Sequence, residues 1–204
     1  MITAILFVIA LVAGYLIGSI MTAVKIAKAK SKDIRECGSG NAGSTNILRT
    51  FGWKWGLLCL FFDSLKGAVS VLVGMGLGHI ALALFPSVDF MDKLPTFLGC
   101  VGFFGALLGH LLPVFYQFRG GKSVAVALGG FLVLSPVQLL IALAIAIVLI
   151  AITRMVSVGS LVGTLITSVL VIIVIAHLPN IQRIMEGRER RLENIEWESG
   201  QNEE

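Results

Sequence analysis

The chain has 204 residues, 56% of them hydrophobic and only 14% charged, and its mean hydropathy is +0.92. A soluble domain carries roughly 25% charged residues, so this composition excludes a water-covered globule and points to an integral membrane protein. The net charge of +4 fits cytoplasmic loops rich in Lys and Arg rather than nucleic-acid binding. The odd set of Cys37, Cys59 and Cys100, with no C-x-x-C spacing, supports neither a disulfide framework nor a zinc site.

Residues Ile2 to Val24 are uncharged and long enough to span a bilayer, which takes about 20 residues at ~1.5 Å each. A secretory signal would have a basic start and a shorter apolar core, so this reads as a retained first span. Gly14, Gly18 and Ser19 lie near one face, as small residues do at membrane helix contacts. The polar loop from Lys25 to Lys54 follows. It holds Lys25, Lys28, Lys30, Lys32, Arg35, Arg49 and Lys54 against Asp33 and Glu36. The positive-inside rule puts it in the cytoplasm and the N-terminus outside.

Within that loop, Cys37 to Asn46 reads CGSGNAGSTN. Gly38, Gly40 and Gly43 remove the Cβ atoms that would keep a ligand off the backbone, and Ser39, Asn41, Ser44, Thr45 and Asn46 supply hydroxyls and amides. Exposed N–H groups in such a loop form a concave anion site, strengthened where a helix begins just after it. Arg49 adds a fixed fork of donors. The plain alternative is a flexible polar linker. The spelling G-x-G-x-x-G, with Asp63 twenty residues on, is a dinucleotide fingerprint only inside a βαβ unit; here a charged segment precedes it and a long apolar run follows, so we reject that reading.

Residues Trp55 to Leu84 are apolar except for Asp63, Lys66 and His79. Asp63 and Lys66 are spaced i, i+3 and can pair on one helix face. Intramembrane charges count as a site hypothesis, the alternative being a structural ion pair. His79 falls near the outer face as a bystander. Pro86 to Lys93 reads as a short outside loop, and Leu94 to Leu112 as the third span, ending in Gly109-His110. Pro113 to Ser123 is a second cytoplasmic loop. Its Gly121-Lys122-Ser123 resembles the tail of a P-loop, but Tyr116 stands where the first glycine should be and no strand precedes it. The physics still carries over: Gly120 and Gly121 bare the backbone, and Lys122 supplies a point charge at the next helix's start.

Val124 to Ile152 is uncharged and interrupted by Ser135-Pro136, giving either one long kinked span or two short helices joined near the proline. Met155 to Ala176 is long enough for one crossing. His177 to Arg183 then opens a basic tail, expected in the cytoplasm, which is an interfacial helix or disordered past Gly187. The predicted fold is therefore all-α, a polytopic membrane bundle of about five to seven transmembrane helices. An N-terminus outside and a C-terminus inside favour an odd number. Residues 1–190 would form one transmembrane domain and 191–204 a charged cytoplasmic tail.

Several segments together carry a family resemblance: Gly38 to Asn46 with Arg49; Asp63 with Lys66-Gly67; Gly109-His110 with Pro113, Phe115, Phe118, Gly120-Gly121-Lys122 and Val124-Ala125; and His177, Asn180-Ile181, Arg183, Gly187 and Glu189. In that order and spacing, from about Gly14 to Glu189, the chain resembles the PlsY family of bacterial acyl-phosphate-dependent glycerol-3-phosphate acyltransferases. The resemblance implies transfer of an acyl group from acyl phosphate to the 1-hydroxyl of sn-glycerol 3-phosphate, giving lysophosphatidic acid and phosphate as a first step of phospholipid synthesis. It implies no cofactor, metal, nucleotide, acyl-CoA or acyl carrier protein, and a monomer in the bacterial inner membrane with its site at the cytoplasmic face.

On this reading Ser39 and the N–H groups around Gly40 hold the acyl phosphate and its carbonyl oxyanion. Gly38, Asn41, Gly43 and Thr45 of that loop also bind substrate phosphate, and Asn46 and Arg49 grip a phosphate. Lys122, with Gly120 and Gly121, neutralises the leaving phosphate or binds the glycerol phosphate. Lys66, Ser157, His177 and Asn180 complete the acceptor pocket, with His110 either structural or at the site. His177 could serve as general base, or the leaving phosphate could take the proton itself. A Ser39 acyl-enzyme is the other route. One feature departs from the family: only twenty residues separate Ser157 from His177, about 30 Å as one helix, enough to put them on opposite faces of a bilayer. Two readings from other classes stand beside the enzyme, a small transporter for phosphorylated metabolites using Asp63 and Lys66 as a passage, and an inactive scaffolding member of the family.

Overall fold

A computed structural model of the chain describes residues 2–85 and 93–186. The expected outside loop before Lys93, and the tail with its boundary near residue 190, lie outside the described residues. Every regular element among those described is helical. α1 (Ile2–Gly18) is the first apolar helix, and α2 (Thr22–Ala29) continues it after a break at Ser19-Ile20-Met21. α2 buries Ala23, Ile26 and Ala27 while keeping Lys28 in its last turn, where a cation complements the helix dipole. A short 3-10 turn over Ile34–Glu36 is capped by Asp33, whose side chain accepts from the Arg35 N–H. α3 (Ser44–Phe51) starts at the end of the glycine loop. Gly52, with φ of 90°, turns the chain into α4 (Trp53–Leu84). That helix has 32 residues, about 48 Å, longer than a ~30 Å hydrocarbon core.

α5 (Leu94–Leu111) is the central helix, and glycines make it so. Gly102 lies against the backbone of Ser70 in α4, while Gly105 and Gly109 meet the backbones of Leu11 and Tyr15 in α1. In lipid there is no hydrophobic force between helices, and close backbone approach through small residues supplies the packing instead. After a second 3-10 turn at Val114–Tyr116, the chain folds back along α5. The Gly121 N–H donates to the His110 carbonyl at 3.0 Å, the Ser123 hydroxyl donates to the Leu107 carbonyl at 2.8 Å, and Phe131 packs edge-on to Phe103. α6 (Val124–Leu134) therefore runs antiparallel to α5.

Of the two alternatives open for Val124 to Ile152, the chain takes the second. α6 and α7 (Pro136–Thr153) are separate helices with Ser135 alone between them. Pro136 has no N–H to continue the α6 ladder and stands at the first position of α7, where none is needed. Arg154, with φ of 59°, turns the chain into α8 (Val156–Met185). α8 lies antiparallel on α7, with Gly159 against Ala146 and Ile150, and Gly163 against Ala142 and Ala146. Among the described residues, five stretches are long and apolar enough to cross a membrane: α1 with α2, α4, α5, α7 and α8. The 11-residue α6 is about 17 Å long. The exposed Leu161, Leu165 and Ile172 of α8 are what a lipid-facing surface requires.

One expectation needs correction here. His177 was read as the opening of a tail after a span ending at Ala176. Instead α8 continues for 30 residues through Pro179, which membrane helices tolerate.

Candidate active site

The two glycine loops and the start of α8 share one cavity of about 580 Å³, within the range of small-molecule sites. Its polar wall contains Ser39, Asn41, Gly43, Ser44, Thr45 and Arg49 from the first loop and α3, and Lys122 and Ser123 from the second. Ser157 and Ser160 join them from the first turns of α8. Its apolar wall is continuous with these groups and includes Leu57 and Leu60 of α4, Phe131 of α6, and Leu139 and Leu143 of α7.

The first loop is built around Asn46. Its amide nitrogen donates to the carbonyls of Ile34 at 3.1 Å, Cys37 at 2.9 Å and Asn41 at 3.1 Å, and its carbonyl oxygen accepts the Ser39 N–H at 3.0 Å. Asn46 is 1% exposed. Its polar atoms are thus engaged in folding the loop, and it has nothing left to grip a phosphate as expected. Gly38 and Gly40, at φ of 55° and 69°, supply the left-handed backbone this winding demands; a Cβ on Gly38 would run into the Asn46 side chain. The N–H groups expected to serve as oxyanion donors are also spent, Ser39's on Asn46 and Gly40's on the Cys37 carbonyl at 3.0 Å. The donors left over include the N–H groups of Ser44 and Thr45, which open α3 where no intrahelical acceptor exists, the backbone and side-chain amides of Asn41, and the hydroxyls of Ser39, Ser44 and Thr45.

The cations divide in the same way. Arg35, which sequence reasoning passed over, sends one guanidinium nitrogen to the carbonyls of Tyr116 and Arg119, both at 2.9 Å, and so fastens the first loop to the second. Lys66 was expected in the acceptor pocket. It is instead buried directly behind two cavity-lining residues, paired with Asp63 at 2.9 Å and bonded to His110 Nδ1 and the Ile20 carbonyl, both at 2.7 Å. Asp63 in turn accepts from the Thr22 hydroxyl at 2.9 Å. This network seals the break between α1 and α2, where the Ile20 carbonyl has left the helical ladder. Arg49 and Lys122 line the cavity, are solvent-exposed, and have no hydrogen bond or ion pair among the described residues. Gly121 brings the loops together: a Cβ there would strike the His110 ring and come within 3.0 Å of the Ala42 carbonyl. One at Gly120 would strike the His110 carbonyl.

The structure therefore gathers Ser39, Asn41, Gly43, Thr45, Arg49, His110, Lys122 and Ser157 around one cavity. It does not bring His177 or Asn180 there. Because α8 is unbroken, His177 lies about 30 Å along the helix from Ser157, exposed, with its Nδ1 bonded to the Ile173 carbonyl at 2.8 Å. Of the four residues expected in the acceptor pocket, Ser157 lines this cavity, and Lys66, His177 and Asn180 are not among its lining residues. Among the described residues no group of three His, Cys, Asp or Glu side chains is arranged to hold a metal ion.

Comparison with known proteins shows the family. A family described as glycerol-3-phosphate acyltransferase matches residues 8–187. The chain is 38% identical to the glycerol-3-phosphate acyltransferase of Geobacter sulfurreducens, over 87% of this chain and 93% of that protein. It is likewise 38% identical to the one from Thermus thermophilus, over 89% and 93%. Its fold matches the crystal structure of PlsY, an integral membrane glycerol 3-phosphate acyltransferase, in its glycerol 3-phosphate form. The TM-score is 0.66 at 31% identity, covering 94% of this chain and 96% of that one. The lysophosphatidic acid form of that enzyme matches with a TM-score of 0.59 at 32% identity, covering 91% and 94%. The chain belongs to the glycerol-3-phosphate acyltransferase family.

Proposed function

We propose that this protein transfers a fatty acyl group from an acyl phosphate to the 1-hydroxyl of sn-glycerol 3-phosphate. The observation that carries the reading is the pairing of two uncommitted cations, Arg49 and Lys122, with a long apolar wall in one cavity. Both substrates bear a phosphate, and one also carries an oily tail. The hydroxyl oxygen attacks the acyl carbonyl carbon, the bond from that carbon to the phosphate oxygen breaks, and phosphate leaves with the hydroxyl proton or passes it to solvent.

In this assignment Lys122, a compact charge beside the bare backbone of Gly120 and Gly121, neutralises the leaving phosphate, and Arg49 grips the second phosphate with its planar fork. The Ser39 hydroxyl and the α3 N–H groups of Ser44 and Thr45 face the charge that develops on the carbonyl oxygen. Ser157 and Thr45 bound the acceptor side, and Leu57, Leu60, Phe131, Leu139 and Leu143 take the acyl chain. The protein acts as a monomer in the bacterial cytoplasmic membrane. The surplus of Lys and Arg in the loop after α2 supports a polar cavity end at the cytoplasmic face and an N-terminus outside.

The test is a product assay on purified protein with palmitoyl phosphate and glycerol 3-phosphate. Stoichiometric release of phosphate and lysophosphatidate is expected. Neither product, with uptake of glycerol 3-phosphate into liposomes instead, would replace the enzyme with a transporter.

A further inference from the structure

Lys66 meets three partners, and an ammonium has three N–H bonds and no lone pair. Two of the partners, Asp63 Oδ1 at 2.9 Å and the Ile20 carbonyl at 2.7 Å, are acceptors whatever their state. The third is His110 Nδ1 at 2.7 Å. A bond that short from an ammonium requires Nδ1 to be the acceptor, which leaves the ring proton on Nε2. His110 is 3% exposed and lines the cavity. Its Nε2 has no partner among the described residues, and it is not sealed off either: the only described side-chain atom both sealed and unpartnered is Ser64 Oγ. Nε2 rests against Gly121, the residue before Lys122, where any Cβ would cover it.

We infer that Lys66 locks His110 as the Nε2–H tautomer, so that His110 donates a neutral hydrogen bond to the phosphate oxygen held by Lys122, with Lys66 as a positioning residue. The ligand class is a phosphate monoester or acyl phosphate, and this part rests on the proposed reaction. The ion pair deep in α4 then serves catalysis at one remove. Asp63 holds Lys66, Lys66 sets the ring proton of His110, and the glycine at 121 leaves that proton open to the substrate.

The test is ¹⁵N NMR of the full chain in nanodiscs with labelled histidine. The chain has three histidines, and the spectrum of His110→Gln identifies the signal of His110. The expected result is the Nε2–H pattern in the free protein, a downfield shift of its proton on adding inorganic phosphate or glycerol 3-phosphate, and loss of the single tautomer in Lys66→Met. An Nδ1–H or doubly protonated ring, or a signal unmoved by either ligand, overturns the proposal. The free-protein tautomer is read whether or not the protein makes lysophosphatidate, so failure of the reaction and failure of this inference are distinguishable. Kinetics add a second reading. His110→Gln keeps an N–H near the Nε2 position and should lose less of kcat/KM than His110→Asn. His110→Asn keeps an acceptor for Lys66 but loses the cavity donor, and should fall roughly 10- to 100-fold, the scale of a hydrogen bond to a charged group. Equal losses in the two variants would leave His110 a packing residue only and overturn the proposal.

Discussion

The Arg35 guanidinium donates to the Tyr116 carbonyl at 2.9 Å across 81 residues of sequence, and the same nitrogen reaches the Arg119 carbonyl. This contact fixes the spacing between the loop that offers Ser39 and the loop that offers Lys122. Arg35→Ala should therefore lower kcat/KM about tenfold, as a misplacement of order 1 Å can cost that or more. The midpoint of thermal unfolding should change little, because the contact lies outside the helical core. Arg35→Lys should recover part of the loss. Unchanged kinetics in the alanine variant would show that the loops hold their register without it.

Arg49→Ala and Lys122→Ala should each reduce activity at least tenfold, with size-exclusion profiles unchanged, since neither side chain is used by the fold. Ser39→Ala should abolish turnover. Trapping an acyl adduct on Ser39 by mass spectrometry would instead show that transfer proceeds through the enzyme and not directly between substrates.

Gly121→Ala probes the approach of the two loops. Its methyl group would meet the His110 ring and the Ala42 carbonyl, so one loop must withdraw from the other. Activity should drop more than tenfold, and the KM for at least one phosphate substrate should rise. A kinetically silent Gly121→Ala would mean that the loops part and close again freely.

Removing one member of the Asp63–Lys66 pair strands the other in the membrane interior, where breaking a buried pair costs about 3–5 kcal/mol. Asp63→Asn and Lys66→Met should each lower the unfolding midpoint strongly, and the double variant should be more stable than the sum of the single losses. Additive losses in that double-mutant cycle would mean that the two charges do not interact.

The continuity of α8 is open to a direct check. Ser157→Cys and Asn180→Cys, in a background lacking the native cysteines, should be labelled by an impermeant maleimide from opposite sides of a sealed membrane vesicle. Labelling of both from one side would mean that the helix reverses between them.

Much of the candidate cavity's polar lining was legible because residue type and spacing carry it. Glycines with hydroxyls near a helix start, a lone lysine after two glycines, and a carboxylate three residues from a lysine each have few physical uses inside a membrane. What escaped notice depends on folded geometry. Arg35 binds carbonyls, and a carbonyl has no residue identity to betray it. Asn46 looked like a ligand because its amide is suited to that, and only the wound loop reveals four intrachain partners for it. The reading of His177 and Asn180 rested on the family resemblance of the C-terminal segment, and residue type alone could not show that one unbroken helix, α8, runs from Ser157 through Pro179.

Arg49 and Lys122 line one cavity with no carboxylate partner among the described residues. Any dianion that settles between them adds to folding free energy by mass action, about 2.7 kcal/mol at a hundred times its dissociation constant. Inorganic phosphate, as the released product, would then protect the protein against heat while competing with the next substrate. Preparations in phosphate buffer should accordingly look sturdier and work more slowly than those in a zwitterionic one.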